Sequence, residues 1–508
     1  MGLGMFQRLR NLDEIRNRTY TLIEELKSQS LLLDGSNEHC VQMHDVVRDI
    51  ALYIASEEKR GGFVINLDQP IREDCYENYV WISMTNLSNK TEFPVEIKCP
   101  SLRLLTMKSG NKKLYDDEMR LPDRIFDGMQ EVRVLFMEEI HIRSLPSTTQ
   151  LLKNLKTLYL FNCQVLESIG IVGELLKLEI LCCIDCYNIR ALPREIGRLN
   201  RLMLLEIIHC RNLKRIAPGI TSNLINLEEL KIKCSFNGWE AKKNNARENA
   251  ALVELESLTK LRCLELEINN VSSVAEEIRL PSGIVNHSIS LIIKERDSYF
   301  FMQERDSLWD HYFSKMCLEI PGQMNVGNWI KTLVRFTEFL DLKGDGATEV
   351  LVGLNWNLKS LTLRSCSLVK KLLNTSTSAF PSLESLTLAY LDNLVEIFPP
   401  KPDKYSCFKN LRTISIEGCP RLRFLFSVSE AIMFLTQLQD LTVIDCEAVE
   451  DMIIFSDDDD DDDKMEKDGE IRSHNLRIGF PKLSCLKLAG LPRLILAQET
   501  LSKEILCF

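Results

Sequence analysis

An apolar phrase recurs along this chain with almost no change in spacing. Leu155, Leu158 and Leu160 are followed by Cys163, Leu166 and Ile169, and Leu202, Leu205 and Ile207 by Cys210, Leu213 and Ile216. Leu358, Leu361 and Leu363 are followed by Cys366, Val369 and Leu372. The order returns at Leu411 with Ile414, Ile416, Cys419, Leu422 and Leu425, and at Leu438 with Leu441, Val443, Cys446, Val449 and Met452. One such unit leaves its apolar edge in water. Stacked units bury that edge against one another in a continuous core, so the chain is constrained to a solenoid.

The phrase is the leucine-rich-repeat skeleton L-x-x-L-x-L-x-x-C/N-x-x-L. Copies begin at Leu102, Val132, Leu155, Leu178, Leu202, Leu227, Leu261, Leu358, Leu383, Leu411, Leu438 and Leu483. Many neighbouring starts are 23 to 28 residues apart, within the period of about 20–29 residues that such repeats use. Weaker copies begin at Tyr79 with Ile82 and Met84, at Lys315 with Leu318 and Ile320, and at Thr337 with Leu340 and Leu342. The L-x-L segment alternates as a strand does, and the residues after Cys return the chain over the other side. The expected fold class is α/β: a curved horseshoe with a parallel sheet on its concave face, preceded by a small partial winged-helix region. Its default role is binding rather than chemistry.

A net charge of −11 argues against a general nucleic-acid binder. Residues 457–470 hold ten carboxylates against two lysines, which accounts for −8 of that charge. Seven adjacent aspartates, Asp457 to Asp463, repel one another, so an acidic disordered loop is expected near 456–474. No apolar run reaches membrane-span length, and the first ten residues lack the apolar core of a signal peptide. Many of the 17 cysteines fall at the repeat's C/N position, where a small buried group meets backbone. A ladder of free thiols suits a reducing compartment, and the expected location is cytoplasmic. Cys183 with Cys186, and Cys40 with His44, lack a second ligand pair, so no metal site is expected.

Residues 1–60 do not repeat. Asn17 to Ser30 reads as an amphipathic helix with Leu22, Ile23 and Leu26 on one face, and Val41–Met43 as a short strand. Asp45 is expected to cap a second helix through Ser56, with Val46, Val47, Ile50, Tyr53 and Ile54 on its apolar face. Residues 61–78 read as a linker, 79–508 as the repeat domain, and Asn237–Asn249 as an insertion loop. From about 271 to 350 the skeleton weakens, although Trp309, Trp329 and Phe339 suggest an ordered core there.

Met43-His44-Asp45, within VQMHDVVRDIALYIAS, resembles the Met-His-Asp motif of plant intracellular immune receptors of the coiled-coil, nucleotide-binding, leucine-rich-repeat class. The preceding Gly2–Gln7 and Leu22–Gly35 resemble the end of the nucleotide-binding module in that family, and the order of the parts matches. The resemblance implies that residues 1–60 are the end of that module. It also implies that His44 lies near the β-phosphate of ADP, with Asp45 orienting the turn. No G-x-x-x-x-G-K-[ST] loop occurs in the chain. The chain therefore reads as the C-terminal part of such a receptor, with no cofactor of its own and ADP or ATP expected only with the missing nucleotide-binding lobe. The implied function is disease resistance, in which the repeats recognise a pathogen effector or an effector-modified host protein and restrain the nucleotide switch. The alternative is the substrate-recognition subunit of a ubiquitin ligase. The seven histidines are scattered without a nucleophile motif, so no enzyme is expected.

Side chains flanking each L-x-L leucine alternate away from the core. In three consecutive repeats this places Tyr159 and Phe161, Ile180 and Ile184, and Leu204 and Ile208 on the concave face. These six form the candidate protein-binding stripe, the alternative being that the patch is covered within the parent receptor or by neighbouring loops. Its expected partners are an effector or guarded host protein and the missing nucleotide-binding lobe, with no nucleic acid and no membrane span. Side-chain changes at Ile184 and Ile208 are expected to leave stability nearly unchanged.

Overall fold

The computed structural model describes residues 11–35, 40–57, 62–66, 79–88, 97–110, 121–240, 248–268, 278–291, 315–320, 327–346, 357–372, 380–397, 408–427, 435–454 and 482–494, with a few single positions besides. It divides into two compact units. The first comprises Met1–Ser273 and Ile278–Asn286, and the second begins at His287 and resumes from His311 to Phe508, with short exchanged segments between.

The first unit opens with helix α1 (Leu12–Ser28), a two-stranded antiparallel pair β1 (Leu33–Asp34) and β2 (Val41–Gln42), and helix α2 (Asp45–Glu57). The first helix starts five residues before the predicted Asn17. Asn11 caps it: its side chain accepts from the Glu14 N–H at 2.8 Å, and Glu14 accepts back from the Asn11 amide at 2.9 Å. The buried residues of α1 are Leu12 and Ile15, not Leu22, Ile23 and Leu26. Asp45 is the first residue of α2 rather than its cap, and His44 Nδ1 accepts from the Val46 N–H at 3.2 Å in the capping role. The predicted apolar face of α2 exists, but Val46, Ile50, Tyr53 and Ile54 are each more than half exposed.

A parallel ladder follows: β3 (Gly62–Asn66), β4 (Trp81–Leu87), β5 (Leu104–Ser109), β6 (Val134–Glu138), β7 (Thr157–Phe161) and β8 (Ile180–Ile184). It continues through β10 (Leu204–Ile208), β12 (Glu229–Lys233) and β13 (Cys263–Ile268). Between these lie β9 (Ala191–Leu192) and β11 (Arg215–Ile216), which pair with each other on the return side. Neighbouring strands align leucine with leucine: Leu158 with Leu181, Leu181 with Leu205, and Leu205 with Leu230. Strand β3 lies inside the expected linker 61–78 and pairs with β4, so the ladder begins before the first recognisable repeat. Its sequence lacks the L-x-x-L spacing that identified the others.

The second unit repeats the plan with β14 (Asn286–Leu291, of which His287 onward belongs here), β15 (Lys315–Glu319), β16 (Phe339–Lys343), β17 (Ser360–Arg364), β18 (Ser385–Ala389) and β19 (Thr413–Glu417). After β20 (Phe424–Ser427) come β21 (Asp440–Ile444), β22 (Asp451–Ile454) and β23 (Cys485–Ala489). Strands β20 and β22 form a separate parallel pair. Strand β14 was not recognised as a repeat. The copy at Lys315 is shifted by two residues, because Met316 and Leu318, rather than Leu318 and Ile320, align with Leu340 and Leu342. The Asp457–Asp463 run and Trp309 lie outside the described residues.

Seven repeats turn at a left-handed residue directly after the strand: Asn162, Asp185, His209, Ser365, Tyr390 and Asp445 have φ of 51–55°, and Gly418 has φ 60°. Each donates its N–H to the end of the next strand, as Asn162 does to the Ile184 carbonyl at 2.8 Å. The repeat cysteine lies next in sequence, except after Tyr390, where Leu391 takes its place. Cys163, Cys186, Cys210, Cys366, Cys419 and Cys446 are all buried, and each directs its thiol at a carbonyl, as Cys186 does to Ile184 at 3.5 Å. On the return side of the first unit, short 3₁₀ turns such as Gly170–Glu174 and Arg194–Arg198 end on fully buried Leu175 and Leu199. Trp239, inside the expected insertion loop, is buried edge-on to Phe236 with ring centroids 5.4 Å apart.

Candidate functional site

Strand alternation places one side chain in two on the sheet face opposite the core. In the first unit Tyr159 aligns with Cys182 and Glu206, and Phe161 with Ile184 and Ile208. The six predicted stripe residues thus share one face in register. Phe136 on β6 extends the stripe, stacked on Tyr159 with centroids 4.8 Å apart.

The stripe is not open to water. Ile184, Leu204 and Ile208 are only 2%, 7% and 4% exposed, and Tyr159, Phe161 and Ile180 are half-buried. Part of the cover is α1. Leu12 packs into a buried cluster with Cys182 and Leu204, bordered by Tyr159, Ile180 and Met203. This corrects the expectation that changes at Ile184 and Ile208 leave stability nearly unchanged, because a charge placed at either would lose its hydration.

Four further contacts seat the start of α1. The Leu12 N–H donates to Glu228 Oε2 at 2.8 Å, and Arg16 forms a two-pronged pair with Glu229, one arm at 2.9 Å. Asp13 accepts from the Arg262 Nε at 2.9 Å. Helix starts leave N–H groups without intrahelical partners and carry partial positive charge, so a carboxylate such as Glu228 suits the first turn. Two-pronged Arg–carboxylate pairs fix orientation as well as contact.

Beneath Arg16 lies a buried charge cluster. Lys231 Nζ is 3.4 Å from Glu229, 3.9 Å from Glu206 and 4.0 Å from Glu265, and all four residues are at most 9% exposed. Burial alone opposes ionisation of Glu229, but Arg16 and Lys231 outweigh it and hold its pKa below the ordinary carboxylate value. Burial likewise opposes the Lys231 cation, yet its acidic surroundings raise its pKa. Glu228 behaves differently: burial raises its pKa more than the Leu12 N–H lowers it. Burial also raises the pKa values of the Cys182 and Cys263 thiols well above the ordinary value, which keeps them protonated and poor nucleophiles. Sequence reading named the apolar stripe but missed Leu12, Asp13, Arg16, Glu228, Glu229 and Lys231. The available signals were the Leu12/Arg16 spacing of four and the Glu228-Glu229 pair just before an L-x-L.

His44 and Asp45 are exposed. The imidazole Nδ1 is engaged by the Val46 N–H, and the nearby Arg48 pairs with Asp45 at 3.0 Å and Asp49 at 3.2 Å.

The family model of plant disease resistance protein RPS2-like leucine-rich repeats matches residues 348–447. The chain is 24% identical over 491 residues to disease resistance protein At4g27190 of Arabidopsis thaliana, covering 89% of this chain and 47% of that protein. It is 26% identical over 511 residues to the probable disease resistance protein At4g27220 of the same plant, covering 97% and 52%. The chain thus spans about half the length of the curated relatives it matches. Among solved structures, it is similar to the Leptospira interrogans leucine-rich-repeat protein LIC12759, with TM-score 0.45, 13% identity, and coverage of 80% of this chain and 94% of that one. Among the described residues, no helix is long and apolar enough to cross a membrane. The matched family model and these relatives make the chain similar to plant disease-resistance proteins, in their leucine-rich-repeat region.

Proposed function

We propose that this region recognises a protein, a pathogen effector or a host protein altered by one, and that its sheet face restrains the nucleotide-switch module preceding the repeats. The observation that carries the reading is α1. A segment from the non-repeating N-terminal region occupies the sheet face and is matched to it by an apolar plug and paired charges. A surface that already holds one protein segment selectively has the chemistry to bind another. The role is recognition rather than catalysis, and the working compartment is the cytoplasm.

The test is direct binding by the purified chain to a panel of secreted pathogen proteins and their host targets, measured by surface plasmon resonance. Saturable binding by at least one member supports the reading. Absence of binding across the panel, with stoichiometric co-purification of a ubiquitin-ligase adaptor, would replace it with the ligase-subunit alternative. Nucleotide belongs to the whole receptor: this chain alone is expected to show no micromolar ADP binding by calorimetry. Tight binding that disappears in His44→Ala would overturn that part.

A further inference from the structure

One pair of turn cysteines in the second unit stands apart. Cys419 and Cys446 hold equivalent positions in the turns after β19 and β21, strands that pair in register from Thr413 with Asp440 to Glu417 with Ile444. Leu391 takes that position in the turn before them and Leu491 in the turn after, so the two thiols form an isolated pair. The Cys419 N–H donates to the Cys446 sulfur at 3.4 Å. Paired strands lie about 4.8 Å apart, within the Cα separation of about 4.4–6.8 Å that a disulfide spans.

Three donors converge on the Cys446 sulfur. The Cys419 thiol and the N–H groups of Cys419 and Gly418 hold its pKa below the ordinary thiol value, although burial and Asp445 oppose ionisation. The same thiol–thiol bond, with burial, pushes the Cys419 thiol up. Burial pushes up the thiols of Cys99, Cys210 and Cys366 as well. The left-handed turn at Gly418, with φ 60°, sets two successive N–H groups on one side, an arrangement that favours an anion. Thiolate rather than thiol is the nucleophile. Asp445 and Glu447, on either side of Cys446, are exposed, and with Gly490, Leu491 and Pro492 they line an open cavity of about 490 Å³. Solvent thus reaches the turn that carries the sulfur.

We propose that Cys446 and Cys419 form a peroxide-responsive dithiol, with Cys446 the reacting sulfur and Cys419 the resolving one. The Cys446 thiolate attacks one oxygen of hydrogen peroxide. The O–O bond breaks, and the departing hydroxide takes up the proton that Cys446 released and leaves as water. Cys419 then attacks the resulting sulfenic acid. The S–S bond forms as the S–O bond breaks, and this second hydroxide takes the Cys419 proton and leaves as water. Peroxide gains two electrons and the dithiol loses two. The product staples the turn after β19 to the turn after β21 and ends both thiol–carbonyl contacts there. This chemistry is independent of the recognition reading above.

The test treats the reduced full chain with hydrogen peroxide at neutral pH and maps its cysteines by mass spectrometry without reduction. A Cys419–Cys446 cross-link is expected, formed about tenfold faster than any between the stacked Cys163 and Cys186 of the first unit and reversed by a dithiol reductant. In Cys419→Ser, Cys446 should accumulate as a sulfenic acid trapped by dimedone. In Cys446→Ser, Cys419 should stay reduced. Serine suits this turn position, because Ser235 already holds it one repeat after Cys210, where its hydroxyl accepts from the Cys210 N–H at 2.9 Å. If either variant does not fold, the wild-type rates decide alone. No cross-link in the wild type would overturn the proposal. Equal rates at the two pairs would also overturn it, since mere proximity of stacked turns would then explain the reaction. Dimedone capture at Cys419 in Cys446→Ser, with none at Cys446 in Cys419→Ser, would overturn the assignment of the reacting sulfur.

Discussion

On the sheet face opposite the core, strands β7 to β12 carry Tyr159, Cys182, Ile184, Ile208 and Lys231, whereas strands β17 to β21 carry Ser360, Thr362, Ser385, Thr387, Ser415 and Thr442. In the first set, four of the five are buried; in the second, all six are half-buried. The core side is the same in both, with rows of buried leucine and isoleucine. The lesson is that the repeat skeleton dictates the backbone and one face only. Whether the other face is wet depends on what is seated on it, and in the first unit a helix is.

The largest effects should be blind to that difference. Cys210 in the first unit and Cys419 in the second occupy the same buried turn position. An aspartate at either would bury an unpaired charge, costing about 3–5 kcal/mol. Asparagine, which the repeat also uses there, should cost much less. Chemical denaturation of the four variants checks this, and equal loss from Asp and Asn would show that the turn position is misread.

The next experiment exposes the difference. Ile208→Asp is expected to destabilise the first unit by about 3 kcal/mol, because its site is 4% exposed. Thr387→Asp, on the same face of the second unit, should stay within about 0.5 kcal/mol. Similar costs at both positions would break the comparison.

Acid should distinguish the second unit in another way. His287 is buried there with Nε2 2.8 Å from the Thr337 hydroxyl, and burial lowers its pKa from 6.5 to about 4. The folded state therefore holds fewer protons than the unfolded state between those values. Stability from this group is intact above pH 6.5 and falls as the pH drops toward 4, by up to about 3 kcal/mol. Replacement by Gln should flatten that part of the stability profile. A profile unchanged by the substitution would show that His287 takes up its proton without cost in the fold.

A smaller effect concerns one turn. Gly418 has φ 60°, and an added Cβ would lie 2.6 Å from the Tyr390 ring. Gly418→Ala should cost about 1–2 kcal/mol, from the left-handed backbone penalty and the displaced ring. The double variant with Tyr390→Ala should recover the steric part, measured as a rise in melting temperature over the single variant.

Much of the fold was legible because register in a parallel ladder follows from where L-x-L falls. The two weak places show the limit. Around Lys315, Met316-x-Leu318 and Leu318-x-Ile320 both satisfy alternation, and only pairing with Leu340 and Leu342 decides between them. At Gly62–Asn66 a strand forms without the skeleton, because an adjacent strand supplies the hydrogen bonds. The face positions Tyr159, Ile184 and Ile208 were legible from alternation alone. The cover over Cys182 and Leu204 was not, since Leu12 and Glu228 lie 216 positions apart and only the tertiary fold brings that helix start onto the sheet.

The alternation of half-buried and buried positions along β16, β17, β19 and β21 has a consequence for how such a surface can change over generations. Every second strand residue is uncoupled from the core, so substitutions there can accumulate with little effect on folding. The surface can explore new shapes and charges almost independently of its scaffold. Beneath α1 that liberty is lost: Glu228, Glu229 and Lys231 answer to a helix as well as to any future ligand, and any change in one must be matched by its partner.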